Sequence, residues 1–176
     1  GWHIRDAVRI AGAKRIGHGI DISYDSDMYQ TLQLMAEGEV AVEINLTSND
    51  VILGVSGKDH PISIYLENSV PITISTDDEG VSRINLTHEY QRAVETFDLG
   101  YETIKTISRN ALQYSFLPGR SLFQNTMDGS LDNECRKGLP QDLEDRSNCS
   151  DFILQSEKAL MQWQLEKDFT SFEANF

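Results

Sequence analysis

Three short apolar segments in the first half of the chain each end in a cluster of polar residues. Lys14 to Gly17 leads into His18-Gly19-Ile20-Asp21, Val40 to Ile44 leads into Asn45-Leu46-Thr47-Ser48-Asn49, and Val70 to Ser75 leads into Thr76-Asp77-Asp78. Short apolar runs rich in β-branched residues are typical of buried parallel strands. Polar groups at their carboxyl ends indicate a site along one edge of a parallel sheet.

Segments with helical periodicity separate these strands and follow them. The expected helices cover residues 3 to 12, 26 to 37, 60 to 68, 87 to 97 and 101 to 114. Strands alternating with helices at this spacing predict βα units, so the fold class is α/β with a parallel sheet. Three strands do not close a barrel and leave two unpaired edges, which predicts that the chain is the last part of a larger barrel.

The last third of the chain has a different composition. Residues 117 to 150 are rich in Gly, Pro, Asn, Asp and Ser, a composition that predicts a long loop or insertion. The pattern of residues 151 to 176 predicts a helix that packs on the body of the protein. Its expected buried stripe is Leu154, Met161, Leu165, Phe169 and Phe172. The predicted domains are therefore residues 1 to 120, 121 to 150 and 151 to 176.

Charge and hydropathy restrict the classes of partner. The formal net charge of -13 argues against nucleic acid or an anionic membrane, because both would be repelled. No apolar run approaches the roughly 20 residues of a membrane span. The first residues lack the pattern of a signal peptide, so we expect none in this chain, and the compartment stays open. Cys135 and Cys149 match no zinc motif, and their spacing allows either a disulfide or two free thiols.

The adjacent carboxylates Asp77 and Asp78 are the strongest chemical signal in the sequence. Two neighbouring anions repel, so burying them requires a cation, a proton or several hydrogen-bond donors. A divalent metal ion would meet that requirement. The same Asp-Asp-Glu-Gly sequence also suits a solvated turn. His18 favours the metal interpretation, because the glycines on both sides of it let a ligand approach the imidazole closely.

Taken in order, these motifs resemble those of the adenosine deaminase family. The resemblance rests on Arg15 to Gly19, Glu43 to Asn49, His60-Pro61 and Ser75 to Asp78, and it extends over residues 3 to about 120. The segment from Ile107 to Phe116 is similar to a helix of the bacterial and growth-factor-type members. The chain departs from the family pattern at Asn45-Leu46 and at Glu79, neither of which binds metal in the family.

The resemblance implies a (β/α)8 barrel in which the three strands are the sixth, seventh and eighth. It implies a zinc-dependent hydrolysis of adenosine or 2'-deoxyadenosine to inosine and ammonia. Asp77 would be the metal-binding carboxylate, Asp78 would bind the purine ring, and His18 would orient or deprotonate the water bound to zinc. The family's histidine ligands and catalytic glutamate precede the motifs found here, so the expected partners are a purine nucleoside and the amino-terminal part of the same protein.

Several alternatives remain open at this stage. A deaminase-derived module could bind a nucleoside or a protein without catalysis, and AMP deaminase and adenine deaminase are relatives that these residues do not exclude. His60 is expected to cap a helix, whereas His3 and His88 are expected at the surface. The sequence thus predicts part of a deaminase active site, carried by His18, Asp77 and Asp78.

Overall fold

A computed structural model of the protein describes residues 2–175. The chain divides into two compact units, the first ending at Asn110 and the second beginning at Ala111. The domain boundaries that we predict at residues 120 and 150 stay predictions. In the described part of the chain, no helix has both the length and the apolar character needed to cross a membrane.

The first unit alternates helices with strands, as the sequence pattern predicts. Its elements are α1 (His3–Arg9), β1 (Arg15–Gly17), α2 (Met28–Glu37), β2 (Ala41–Ile44), α3 (Leu46–Leu53), α4 (Ile62–Glu67), β3 (Ile72–Ile74), α5 (Glu79–Ser82), α6 (Leu86–Phe97) and α7 (Tyr101–Gln113). Short 3-10 helices cover Ile20–Tyr24 and Gly57–Asp59. The expected strands and most of the expected helices are present within a few residues.

The three strands form one parallel sheet in the order β1-β2-β3. Ile16 pairs with Val42, and Val42 in turn pairs with Ile72, so their carboxyl ends lie along one edge. All three residues of β3 are buried, as expected for a strand covered on both faces. Helices supply the rest of the core, with Leu32 and Met35 of α2 fully buried. The α/β class with parallel strands is thereby confirmed.

Helix α3 is not among the helices that the sequence pattern predicts, which include no helix directly after β2. Its first turn buries Leu46 and the polar residues that follow it, whereas Val51, Ile52 and Leu53 at its end are 74%, 66% and 55% exposed. This arrangement is the reverse of the pattern by which amphipathic helices are recognised, in which the apolar residues face the core. Gly54 then ends the helix in the left-handed conformation.

The second unit contains a small antiparallel pair and two helices. Its elements are β4 (Phe123–Asn125), β5 (Ser130–Leu131), α8 (Asn148–Leu154) and α9 (Glu157–Glu173), with a 3-10 turn over Asn133–Cys135. A disulfide joins Cys135 to Cys149, which decides the question that the sequence left open. The bond lies in a separate apolar core that also includes Leu122, Ile153 and Trp163. The expected long loop therefore carries regular structure of its own.

Two expectations about helix faces are wrong. Leu154, Met161 and Phe172 of the predicted terminal stripe are 56%, 46% and 51% exposed, and the buried face of α9 is instead formed by Ala159, Gln162 and Trp163. The stripe assumed one continuous helix, but the chain leaves the helix at Gln155 and restarts with Ser156 as the N-cap of α9, so Leu154 belongs to a different helix. Met161 and Phe172 lie in α9 itself, on a face other than the one that is buried. The periodicity of residues 3 to 12 and 101 to 114 also predicts that Ala11 and Ala111 face the core, but both are exposed, and Ala11 lies beyond the end of α1.

Candidate active site

His18 and Asp77 follow the two outer strands of the sheet and approach each other at its carboxyl edge. Nε2 of His18 lies 3.7 Å from Oδ2 of Asp77. Both residues have left-handed backbone conformations, with φ of 62° and 52°. Such angles are uncommon for residues other than glycine and concentrate at functional sites. Both side chains remain partly exposed, at 42% and 32%, so they are accessible to a ligand.

Ser48 in the first turn of α3 holds the Asp77 carboxylate. Its hydroxyl donates to Oδ2 of Asp77 at 2.7 Å. Because α3 begins directly after β2, the middle strand delivers this hydroxyl between the two outer strand ends. A hydrogen bond to the charged form of a carboxylate favours that form and fixes its orientation. Asp77 is therefore presented as an oriented carboxylate beside an imidazole.

Asn49, the next residue of α3, lies between two histidine rings. Its side chain is fully buried, with one terminal atom 2.8 Å from Nδ1 of His18 and the other 2.8 Å from Nε2 of His60. Nδ2 of Asn45 also lies 3.3 Å from Nδ1 of His18. The His18 ring is thus held from the side opposite to Asp77 by two asparagine side chains.

His60 is the buried end of this chain of contacts. It is 3% exposed, and its Nδ1 accepts a hydrogen bond from the backbone N–H of Ile62 at 3.2 Å, in agreement with the expected capping role. Burial lowers the pKa of His60 to about 4, and the positive charge of Arg92 contributes in the same direction. The ring is therefore neutral at physiological pH.

A second polar group fixes the position of α3 itself. Glu89 of α6 is fully buried and accepts hydrogen bonds from both the backbone N–H and the hydroxyl of Thr47. Arg92 donates to the same hydroxyl at 3.1 Å and pairs with Asp50. These contacts flank Ser48 and Asn49 on the helix, so α6 sets the position of the two residues that contact Asp77 and His18.

Gly19 is required by packing. A Cβ atom at this position would lie 2.6 Å from Cγ1 of Val42 and 2.7 Å from the hydroxyl of Tyr65, and its φ is +66°. Tyr65 donates its hydroxyl hydrogen to the Gly19 carbonyl at 2.6 Å. Burial, with a smaller contribution from Asp21, raises the pKa of Tyr65. This contact supports the turn that carries His18.

A cavity of about 390 Å³ opens beside His18. Residues of α1, β1 and the following turn line it, among them Ile4, Ala7, Gly17 and Asp21. Its volume lies in the range of small-molecule sites. Asp78 is exposed and stands at the N-cap of α5, directly after Asp77. Neither Asp77 nor Asp78 lines this cavity.

The donor types at the sheet edge suit a zinc ion only in part. A carboxylate and an imidazole are both common zinc ligands, and His18 and Asp77 are close enough to face one ion. Between residues 2 and 175, however, no three or more His, Cys, Asp and Glu side chains are grouped so that they could hold a metal ion. A zinc site using Asp77 would therefore need ligands beyond the described residues.

Sequence reasoning missed three contacts of this site. The Thr47-Ser48-Asn49 motif was recognised as part of the resemblance, but the bonds of Ser48 to Asp77 and of Asn49 to both histidines were not predicted. Their signal is the polar run that follows β2 directly. The polar run predicts these contacts only when it is known to form a helix that turns back across the sheet edge.

The parallel sheet with a polar carboxyl edge matches a known class of enzyme domain. The family model described as adenosine deaminase matches residues 2–124. The chain therefore belongs to the adenosine deaminase family, and the resemblance carried by the motifs is confirmed.

Individual relatives agree with this assignment. The chain is 38% identical over 117 residues to an adenosine deaminase of Clostridium perfringens, covering 66% of this chain and 34% of the relative. It is 33% identical over 131 residues to an adenosine deaminase of Escherichia coli, covering 66% of this chain and 38% of the relative. The chain thus spans about a third of the length of these curated relatives.

Solved structures of deaminases share the fold. An adenine deaminase from Arthrobacter aurescens aligns with a TM-score of 0.57 at 22% identity, covering 65% of this chain and 34% of that one. An N6-methyl-AMP deaminase from Arabidopsis thaliana aligns with a TM-score of 0.50 at 29% identity, covering 58% and 29%. The first likeness concerns the fold alone.

Proposed function

We propose that this chain supplies part of the active site of a zinc-dependent adenosine deaminase, which hydrolyses adenosine or 2'-deoxyadenosine to inosine and ammonia. The observation that carries the proposal is the approach of His18 to Asp77 at the carboxyl edge of the sheet, 3.7 Å apart. In this proposal β1, β2 and β3 are the sixth, seventh and eighth strands of a (β/α)8 barrel, whose catalytic residues lie at the carboxyl ends of the strands.

The proposed roles follow from position. Asp77, oriented by Ser48, would be a ligand of the zinc ion, and the exposed Asp78 would accept a hydrogen bond from the purine ring. The metal would supply the Lewis acidity that makes water nucleophilic near neutral pH. His18 would face that water across from Asp77 and orient or deprotonate it for attack on the carbon that bears the amino group.

The proposal includes a partner. The remaining zinc ligands and the proton donor to the ring would come from the amino-terminal part of the same protein, because the described residues provide no group of three metal-binding side chains. A catalytic zinc site commonly uses three protein ligands and keeps one position open for water or substrate. We therefore expect the 176-residue chain alone neither to bind zinc tightly nor to deaminate adenosine. Turnover by the purified chain, seen as loss of adenosine absorbance, would refute this expectation.

A chimera tests the enzymatic part directly. Residues 2–124 would replace the matching segment of the Clostridium perfringens adenosine deaminase, and zinc content and adenosine turnover would be measured. We expect a folded, zinc-containing and active chimera, and Asp77→Asn should lower both zinc content and turnover by at least about a hundredfold, since it removes a charged ligand. Asp98→Asn is the matched control, because Asp98 is also exposed, with a similar φ of 53°, but lies outside the proposed site.

Two outcomes of this experiment would contradict the proposal. A chimera that folds and binds zinc but turns over no adenosine would favour a non-catalytic module. Equal effects of Asp77→Asn and Asp98→Asn would remove Asp77 from the site. AMP, adenine and 2'-deoxyadenosine as alternative substrates would show which purine the site prefers, because Asp78→Asn should change KM for the preferred purine more than kcat.

A further inference from the structure

Asn49 and His60 form a buried hydrogen-bond chain that ends on the His18 ring. The contacts run from the Ile62 N–H to Nδ1 of His60, from Nε2 of His60 to the Asn49 amide, and from that amide to Nδ1 of His18. Asn49 is 0% exposed and His60 is 3% exposed. Buried polar groups are hydrogen-bonded with few exceptions, so donors and acceptors along this chain must alternate.

The hydrogen-bond chain starts at a backbone N–H, whose role as a donor is fixed. The N–H of Ile62 cannot reverse its role, and Ile62 is fully buried. Nδ1 of His60 must therefore be the unprotonated nitrogen of the ring. Since a neutral imidazole carries one hydrogen, Nε2 of His60 carries it and must face an acceptor. The low pKa of His60 agrees with a neutral ring.

This requirement fixes the orientation of the Asn49 amide. The oxygen and nitrogen of an amide exchange places by a half-turn that leaves the shape unchanged, so the hydrogen-bond network decides between them. The Nε2–H of His60 requires the Asn49 oxygen, which directs the Asn49 NH2 group to Nδ1 of His18. The opposite orientation would place Nδ2 of Asn49, 2.8 Å away, against the N–H of His60.

Asn45 leads to the same conclusion independently. Its Nδ2 lies 3.4 Å from the carbonyl oxygen of Glu43, which can only accept, and the same Nδ2 lies 3.3 Å from Nδ1 of His18. A donor therefore faces Nδ1 of His18 from this side as well. Two separate donors at Nδ1 mean that the hydrogen of a neutral His18 ring is on Nε2.

We infer that His60 and Asn49 are positioning residues that hold His18 in the tautomer with its hydrogen on Nε2. The role of this tautomer in catalysis rests on the proposed function. The position of the hydrogen on the His18 ring does not, and it can be measured in the 176-residue protein alone. The Nε2–H of His18 then points toward Asp77, across a separation of 3.7 Å. His18 consequently offers a hydrogen-bond donor at the site, which suits orientation of a nucleophile or stabilisation of negative charge.

Nitrogen NMR of the histidine side chains tests the inference without activity. The chain has four histidines, so 15N-labelling of histidine followed by His3→Gln and His88→Gln variants assigns the spectra. For the full chain at pH 7.5 we expect both His18 and His60 to show the pattern of a ring protonated at Nε2 and unprotonated at Nδ1. A ring protonated at Nδ1 in either residue would overturn the inference.

Asn49→Asp is the informative variant. A carboxylate can only accept, so His60 should keep its hydrogen on Nε2 while His18 changes to the tautomer with hydrogen on Nδ1. Asn45→Asp is the matched control, because Asn45 does not contact His60 and its replacement should leave the His60 signals unchanged. An Asn49→Asp protein whose His18 stays protonated on Nε2 would assign the tautomer to Asn45 alone and would overturn the positioning role of Asn49 and His60. Should that variant not fold, the spectra of the unsubstituted protein still show whether His18 and His60 carry their hydrogens on Nε2.

The active chimera adds a kinetic readout. Asn49→Asp should lower kcat about 10- to 100-fold with KM changed less than about twofold, as expected when a group that orients a site residue is altered. Loss of kcat with an unchanged His18 tautomer would overturn the assigned role. An inactive chimera with the expected tautomers would contradict the proposed function but not the hydrogen-bond chain from His60 through Asn49 to His18. The two failures are therefore distinguishable.

Discussion

The buried polar side chains of the two compact units hold different things in place. In the first unit, Asn49 and His60 contact each other at the end of the sheet and lead to the ring of His18. In the second, the amide of Gln162 contacts the side chains of Gln113 and Ser121 and accepts from the backbone N–H of Leu122 at 2.7 Å, while Ser156 donates to the backbone carbonyl of Arg120 at 2.6 Å. The first group therefore orients an accessible imidazole, whereas the second holds an irregular segment in place.

The family match follows the same division. It ends at residue 124, so it includes the whole sheet edge and only the beginning of the second unit. The disulfide and the helices α8 and α9 lie beyond it. The polar sheet edge therefore belongs to the first unit, whereas the second unit has a disulfide and an apolar core of its own. Each of the following changes should affect one unit and spare the other.

The largest effect is expected from the core of the sheet. Ile72→Ala empties space in a fully buried strand and should lower the free energy of unfolding of the first unit by roughly 2–5 kcal/mol. Hydrogen exchange followed by mass spectrometry would show faster exchange in β1, β2 and β3. Equal acceleration in α9 would contradict the independence of the two units.

The disulfide provides the corresponding change in the second unit. Replacing Cys135 and Cys149 by serine opens a loop closed over a separation of 14 residues, which should cost about 3 kcal/mol. Exchange should accelerate between residues 122 and 163 and stay unchanged in the sheet. Equal acceleration in β1, β2 and β3 would contradict the assignment of this stabilisation to the second unit.

A buried glutamine should give a smaller effect in the same unit. Gln162→Leu leaves the Leu122 N–H without its acceptor, at a cost of about 1–3 kcal/mol. Thermal unfolding followed by the fluorescence of Trp163, whose Nε1 donates to the Pro140 carbonyl, measures it. Gln164→Leu on the exposed face of α9 is the control and should change stability by less than about 0.5 kcal/mol. A similar loss in both variants would contradict the role of Gln162.

Lowering the pH should destabilise the first unit, because it contains the buried His60. Its pKa is lowered from 6.5 in the unfolded chain to about 4 in the folded one, so the unfolded chain binds the proton more readily. Stability of the first unit should therefore fall as the pH drops from about 6.5 to about 4 and then level off. His60→Gln should remove this slope, whereas His88→Gln at the surface should retain it. A slope that persists in His60→Gln would assign the loss to other groups.

The smallest effect is expected at Tyr65. Tyr65→Phe removes the hydrogen bond to the Gly19 carbonyl, which also receives a long bond from the N–H of Ile22, and should cost about 1 kcal/mol. The change would be measured as a shift in the midpoint of chemical denaturation of the first unit. A higher free energy of unfolding in Tyr65→Phe would show that burying the Tyr65 hydroxyl destabilises the first unit despite its hydrogen bond.

Periodicity and strand-end chemistry were sufficient to predict the parallel sheet, its helices and the place of His18 and Asp77. They failed at α3, because its buried first turn is polar while Val51 to Leu53 at its end are exposed. They also failed in the last helix, where the break at Gln155 separates Leu154 from α9 and the buried face of α9 carries Gln162 in place of the predicted apolar stripe. Asn49 and His60 could not be linked from sequence, since that contact depends on how α3 turns back across the sheet edge.

The exposed end of α3 has a practical consequence for anyone who purifies this chain. Val51, Ile52 and Leu53 form three consecutive apolar side chains in contact with solvent, a surface that favours self-association. The net charge of -13 opposes close approach of two molecules at low ionic strength. Because dissolved ions screen that repulsion and leave the apolar attraction intact, we expect the chain to precipitate more readily as sodium chloride is added.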